Sequence, residues 1–152
     1  MIHIYTDGGC SPNPGKGAWA VILLHEDGTT LEDYGVDSNT TNNRMEMKAV
    51  IEALCMVSVL PETSEVTIYT DSQLVYMGIT NWFNSWKARN WRTASGDLVK
   101  NKDLWLMIGS LLHSMGRRTL NWQWVRGHSG DEYNEKVDSL VQQLLTSRLT
   151  LS

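Results

Sequence analysis

The chain reads as an α/β protein, in which a mixed β-sheet of three antiparallel strands and two parallel additions is flanked by helices. Three observations carry this reading. Period-2 and period-3.6 apolar patterns follow one another as three strands, a helix, a strand, two or three helices, a strand and a last helix. The first three strands are joined by short stretches rich in turn residues, as in an antiparallel meander. The first and fourth strands end in the same tetrapeptide, Ile4-Tyr5-Thr6-Asp7 and Ile68-Tyr69-Thr70-Asp71, and a helical crossover between them favours a parallel pair.

Taken in order, an alternating run from Ile2 to Thr6 is followed by a Gly/Pro/Asn-rich loop, Gly8 to Gly17. Ala18 to Leu24 forms the second strand, Asp27-Gly28 turns the chain, and Thr30 to Val36 forms the third. After the polar Thr40-Thr41-Asn42-Asn43, helical spacing runs from about Arg44 to Val59 and stops before Pro61. Glu65 to Thr70 is the fourth strand. Two short helices, Ser72 to about Ile79 and Trp82 to about Asn90, come next, and Asn101 is placed to cap a helix from Lys102 to about Met115. Thr119 to Val125 is the fifth strand, with Leu120, Trp122 and Trp124 on one face, and the last helix runs from about Glu132 to Arg148.

With 152 residues, 41% hydrophobic and 20% charged, the chain can bury a core as one domain without staples. Two cysteines, Cys10 and Cys55, supply neither a disulfide framework nor a paired zinc motif, which fits a reducing, cytoplasmic setting. The start Met-Ile-His-Ile-Tyr enters a strand at once, so neither a leader nor a separate preceding module is expected, and no apolar run reaches membrane-spanning length. With no heptad pattern, a monomer is expected.

A net charge of −4 argues against a nucleic-acid partner until its distribution is considered. Lys87, Arg89, Arg92, Lys100 and Lys102 face only one acid, Asp97, within residues 87–102, so the rest of the chain carries −8. Trp82, Trp86 and Trp91 interleave with these cations. That pattern suits a surface tracking a phosphate backbone, and equally a solvated amphipathic helix.

The candidate chemistry lies in four acids. If the two Ile-Tyr-Thr-Asp strands are parallel neighbours, Asp7 and Asp71 emerge close together, and such a pair must share a proton or bind a cation; singly, each could instead cap a turn or helix. Stepping by three and four from Glu46 reaches Ala49, Val50, Ala53, Leu54 and Val57, so this acid belongs to the apolar face of its helix. A metal ion would account for it, and so would an ion pair with Arg44. Asp138 flanks a similar stripe with Val137, Leu140, Val141 and Leu145. Four acids without clustered sulfur or imidazole suit a hard ion, Mg²⁺ or Mn²⁺, and hence phosphate chemistry. His128 lies in a glycine-flanked loop where a titratable group could serve a reaction, whereas His3, His25 and His113 have no such context.

Asp7-Gly8-Gly9-Cys10, Asn13-Pro14-Gly15, Thr41-Asn42-Asn43-Arg44-Met45-Glu46, Thr70-Asp71-Ser72-Gln73, Gly127-His128 and Asn134-Glu135-Lys136-Val137-Asp138 together resemble the ordered signature of type 1 ribonuclease H. Residues 82–105 resemble that family's basic handle, here set at about 82–102 of a single domain 1–152. The resemblance implies the ribonuclease H-like fold with five strands, and hydrolysis of the RNA strand of RNA/DNA hybrids by two Mg²⁺ ions held by Asp7, Glu46, Asp71 and Asp138. It implies 5′-phosphate and 3′-hydroxyl products, with His128 assisting product release. It further implies groove contacts from Cys10, Asn13, Asn42, Asn43 and Gln73, a DNA phosphate at Thr41, and a DNA-facing set of Trp82, Trp86, Lys87, Arg89 and Arg92. Such contacts read shape rather than sequence. Lys136, Val137 and Asp131 depart from the usual pattern without removing a metal ligand. The competing reading is a hybrid-binding module without catalysis, which would have no use for the four carboxylates.

Overall fold

The computed structural model describes residues 1–125 and 131–146. Its strands are β1 (Ile2–Cys10), β2 (Gly15–Leu24), β3 (Thr30–Thr40), β4 (Val66–Thr70) and β5 (Leu120–Trp124). They form one sheet in the order β3-β2-β1-β4-β5. The β1–β2 and β2–β3 pairs are antiparallel, while β4 joins β1 and β5 joins β4 in parallel. The expected mixed five-stranded sheet is therefore present.

The helices are α1 (Asn42–Ser58), α2 (Gln73–Met77), α3 (Phe83–Ala88), α4 (Lys102–Ser114) and α5 (Glu132–Thr146). They cover the two faces of the sheet unequally. On one side Ile4, Val21, Leu23 and Ile68 pack with Met47, Val50, Leu54 and Val57 of α1, and Trp105 and Ile108 of α4 close the layer. On the other side Tyr5, Ala18, Ala20 and Ile22 pack under Val137 and Val141 of α5. Alternation along β1 and β2 sends neighbouring side chains into the two layers, as strand geometry requires.

Several boundaries differ from the sequence expectation. β1 runs on to Cys10 and β2 starts at Gly15, because the glycines that suggested a loop pair across the hairpin, Gly9 with Ala18 and Cys10 with Gly17. β3 extends through its polar residues to Thr40, since an edge strand with exposed faces needs no apolar alternation. Helix α1 begins at Asn42 rather than Arg44: the Thr41 Oγ1 accepts the Arg44 N–H at 3.2 Å as its cap. The two short helices after β4 are joined through a π-helical turn, Gly78–Trp82. Here Gly78 is packed against Trp105, where a Cβ would lie 2.1 Å from the ring.

Asn101 does not cap α4 with its side chain. It stands before the helix in a left-handed conformation, and its Oδ1 accepts from Arg44 Nη1 at 3.2 Å instead. Trp91 is likewise not an exposed handle residue, being 8% exposed and part of the α1-side core. Trp82 is exposed, while Trp86 is half-buried with its ring edge-on to Trp105 at 5.1 Å. No helix among the described residues is long and apolar enough to cross a membrane.

Candidate active site

Parallel pairing of β1 with β4 matches Ile4 with Ile68 and Tyr5 with Tyr69, so the two identical tetrapeptides lie side by side in register. Asp71 follows the last residue of β4. Asp7, by contrast, sits within β1 opposite Ala20 of β2, beyond the β4 ladder and not at a strand end. Neither acid caps a helix. Ser72 caps α2, its Oγ accepting the Val75 N–H at 3.2 Å, while the Thr70 Oγ1 accepts the Ser72 N–H at 3.1 Å.

Glu46 reaches the pair because α1 crosses β1 closely at Gly8. An ideal Cβ there would lie 2.3 Å from the Met45 carbonyl carbon and 2.5 Å from the Glu46 nitrogen. With that space available, Asp7, Glu46 and Asp71 each offer a carboxylate oxygen, and these oxygens lie within 4.8 Å of one another. Asp138, on α5, lines the same cleft of about 510 Å³ together with Asn42, Asn43, Cys10 and Gln142.

Burial and mutual repulsion dominate the electrostatics. Asp7 is pushed up to about 9 by burial first and then by Asp71 and Asp138. Burial raises Glu46 well above the usual carboxylate range, with Asp7 and Asp71 adding to it. Asp71 is also raised by burial, against hydrogen bonding with Glu46 and Asp7 that opposes the rise. Glu46 Oε2 and Asp71 Oδ1 are buried with no hydrogen-bond partner among the described residues. Such orphaned anionic oxygens call for a cation or a proton.

Arg44 does not provide that cation. Its guanidinium forks onto Asp103, Nη1 to Oδ1 at 3.0 Å and Nη2 to Oδ2 at 2.8 Å. That removes the ion-pair account of Glu46. A donor set of carboxylate oxygens alone, packed this closely and left unpaired, fits a hard divalent ion.

A pH dependence follows. Carboxyls whose pKa is higher folded than unfolded bind protons preferentially in the native state, so stability is fullest below the ordinary carboxylate range. In the metal-free protein it declines as pH rises from about 4 towards about 9, the value to which Asp7 is pushed. We expect thermal melts in EDTA to show Tm falling across this window and Mg²⁺ to restore much of it at pH 8. A Tm that is flat with pH and insensitive to Mg²⁺ would contradict the repulsion.

The remaining candidates divide into three groups. Cys10, Asn42 and Asn43 line the carboxylate cleft. The Cys10 thiol is engaged with backbone, donating to Pro12 O at 3.1 Å and Thr40 O at 3.4 Å. Trp82, Trp86 and Arg89 line a second groove of about 570 Å³, which Asn43 also borders. Asn13, Thr41, Gln73, Lys87 and Arg92 border neither. Asn13 Oδ1 accepts the Asn42 N–H at 3.2 Å, Gln73 opens α2 and is exposed, the Lys87 Nζ lies 5.8 Å from the centre of the Phe83 ring, and Arg92 Nη1 donates to Gly96 O at 2.9 Å. His128 lies outside the described residues.

Sequence reading missed Ser11, Gln142 and Leu145 as walls of the cleft. Gln142 lies one helical turn beyond Asp138, a spacing that could have found it. Asp131, expected only as a departure, starts α5 by accepting the Tyr133 and Asn134 N–H groups at 3.0 Å. It thereby seats the helix that carries Asp138.

This geometry has close counterparts. The family model described as RNase H matches residues 1–146. The ribonuclease H of Polaromonas naphthalenivorans is 52% identical over 142 residues, covering 93% of this chain and 85% of that protein. Among solved structures, LC9-RNase H1, described as a type 1 RNase H with the type 2 active-site motif, superposes with a TM-score of 0.77 at 27% identity, over 95% of this chain and 71% of its own. LC11-RNase H1, solved in complex with an RNA/DNA hybrid, gives 0.70 at 27% identity over 94% and 95%. By family model, by identity over nearly its whole length and by fold, this chain belongs to the RNase H family of nucleases.

Proposed function

We propose that the chain is an endonuclease hydrolysing the RNA strand of RNA/DNA hybrids, acting as a single domain 1–152 with residues 82–102 as a handle. The observation that carries this reading is the trio Asp7, Glu46 and Asp71, whose oxygens lie within 4.8 Å while two of them are buried and unpartnered. The hybrid bound by the relative LC11-RNase H1 supports the choice of substrate.

Asp7, Glu46, Asp71 and Asp138 would hold two Mg²⁺ ions, with Mn²⁺ as a substitute. When bound, such ions polarise a phosphodiester and make water more acidic, which supplies the nucleophile and eases departure of the leaving oxygen. The protein's part is to hold four carboxylates in a fixed cleft and to give up the protons they keep in the metal-free state, so ion affinity rises with pH. Water adds to phosphorus and the RNA 3′ oxygen leaves with a proton, giving 5′-phosphate and 3′-hydroxyl ends. His128 would take part in proton transfer as product departs.

Selection for RNA would come from the Cys10 backbone, Asn13, Asn42, Asn43 and Gln73 meeting 2′-hydroxyls in the minor groove. Thr41 would seat a DNA phosphate, and Trp82, Trp86, Lys87, Arg89 and Arg92 would meet the DNA strand. Contacts to backbone and sugar make cleavage largely independent of sequence. The same reading takes the chain as a cytoplasmic monomer, consistent with its two free cysteines.

The test is cleavage of labelled RNA/DNA hybrid, RNA duplex and DNA duplex in Mg²⁺ or EDTA by wild type and Asp71→Asn. We expect metal-dependent cutting of the hybrid's RNA strand alone, lost in the variant. Binding of the hybrid without cutting in both Mg²⁺ and Mn²⁺ would overturn the proposal.

A further inference from the structure

The carboxylate cleft and the handle groove meet at one residue. Asn43, the second residue of α1, borders both. Immediately beside it, Arg44 ties α1 to the far side of the handle. Its guanidinium grips both oxygens of Asp103, in the first turn of α4, and Nη1 also donates to Asn101 Oδ1.

Asn101 is itself a wall of the handle groove and adopts φ 60°, an uncommon backbone conformation for a side-chain-bearing residue. Asn101 and Asp103 are thus both bound by one planar fork to the helix that carries Glu46. A guanidinium suits this because its geometry is rigid and bidentate, whereas a lysine would hold one point only.

The clamp is partly solvent-exposed, with Arg44 35% and Asp103 65% accessible. Exposed pairs of this kind contribute little to stability. Holding a spacing is a different matter, since two surfaces strengthen each other's grip on one duplex only while their geometry lets both engage at once.

We propose that Arg44 is a positioning residue, setting the distance between the carboxylate cleft and the handle groove so that both strands of one duplex are engaged together. This rests on the proposed hybrid cleavage. Arg44 touches neither metal nor scissile phosphate in this account; it acts through Asn101, Asp103 and the start of α1.

The test uses Arg44→Met, Arg44→Lys and Asp103→Asn in the full chain. Each is assayed for kcat and KM in Mg²⁺ on two hybrids: one long enough to reach the handle, and one whose DNA strand is cut short on the handle side. For Arg44→Met we expect KM on the long hybrid to rise about tenfold, with kcat within about twofold and KM on the shortened hybrid unchanged. Asp103→Asn, which breaks the pair from the handle side and leaves α1 intact, should move the same parameter in the same direction. Arg44→Lys should recover part of the loss. Tm should fall by less than about 5 °C, so the variants stay folded.

An equal rise in KM on both hybrids, a fall in kcat with KM unchanged, or no change on either substrate would each overturn the proposal. Failure of the underlying function has a separate signature, since wild type would then cut neither hybrid.

Discussion

Glu46→Gln is expected to lower hybrid cleavage at least about a thousandfold and, in the same protein, to raise the Tm of the metal-free form by roughly 5–10 °C. The two effects have one cause. Glu46 is held by α1 among Asp7 and Asp71, with one oxygen buried and unpartnered. With a divalent ion present, that oxygen is a ligand, and an amide supplies no negative charge in its place. Without the ion, this buried carboxyl must take up a proton on folding, which costs stability at pH 8, and an amide of nearly the same volume is free of that cost. Calorimetric Mg²⁺ titration, single-turnover cleavage and melts in EDTA at pH 8 check the three parts. A variant that cuts normally, or melts lower than wild type without metal, would show that Glu46 is a structural acid.

Gly8→Ala should be the most damaging single methyl in the described structure around the site. The added Cβ would meet backbone, 2.3 Å from the Met45 carbonyl carbon, so no side chain can swing aside to admit it. The helix must lift from β1. We expect a loss of roughly 3 kcal/mol or more, a Tm fall of about 10 °C, and reduced Mg²⁺ affinity, because the lift draws Glu46 away from Asp7. Gly9→Ala provides the internal comparison. Its Cβ would meet only side-chain ends, Val141 at 3.3 Å and Leu145 at 3.5 Å, so a much smaller loss is expected. Equal melting of the two variants would mean that the crossing of α1 over β1 is not tight at Gly8.

Much of the site was legible because the sequence repeats itself. The two Ile-Tyr-Thr-Asp segments announce a parallel pair, and the apolar residues spaced along α1 assign Glu46 to the buried face. Strand ends were less legible. Gly8 to Cys10 carries the composition of a loop, yet it pairs along β2, because backbone hydrogen bonding does not require the side chains that signal a strand. β3 was cut short for the opposite reason, its exposed edge residues showing no apolar alternation. Trp91 was misplaced to the surface because Asn90 and Trp91 both take positive φ, which breaks the helical periodicity there, and only tertiary packing sets its ring against Phe83 at 5.4 Å. The partner of Arg44 lies nearly sixty positions away in Asp103, a separation across which local pattern carries no information.

The in-register pairing of the two tetrapeptides has a consequence for how the chain can change over evolutionary time. A pleated ladder advances by whole residues and inverts its faces with each one, so Asp7 and Asp71 keep a common address only while β1 and β4 retain their counting. A single inserted or deleted residue between Ile2 and Asp7, or between Val66 and Asp71, would turn one acid to the opposite side of the sheet. Length variation is thereby confined to connections outside these two strands, such as the Asp27-Gly28 turn, where a Cβ on Gly28 would meet nothing within 4 Å. Insertions tolerated at that turn and lethal to cleavage within β1 or β4 are what this shared frame of counting demands.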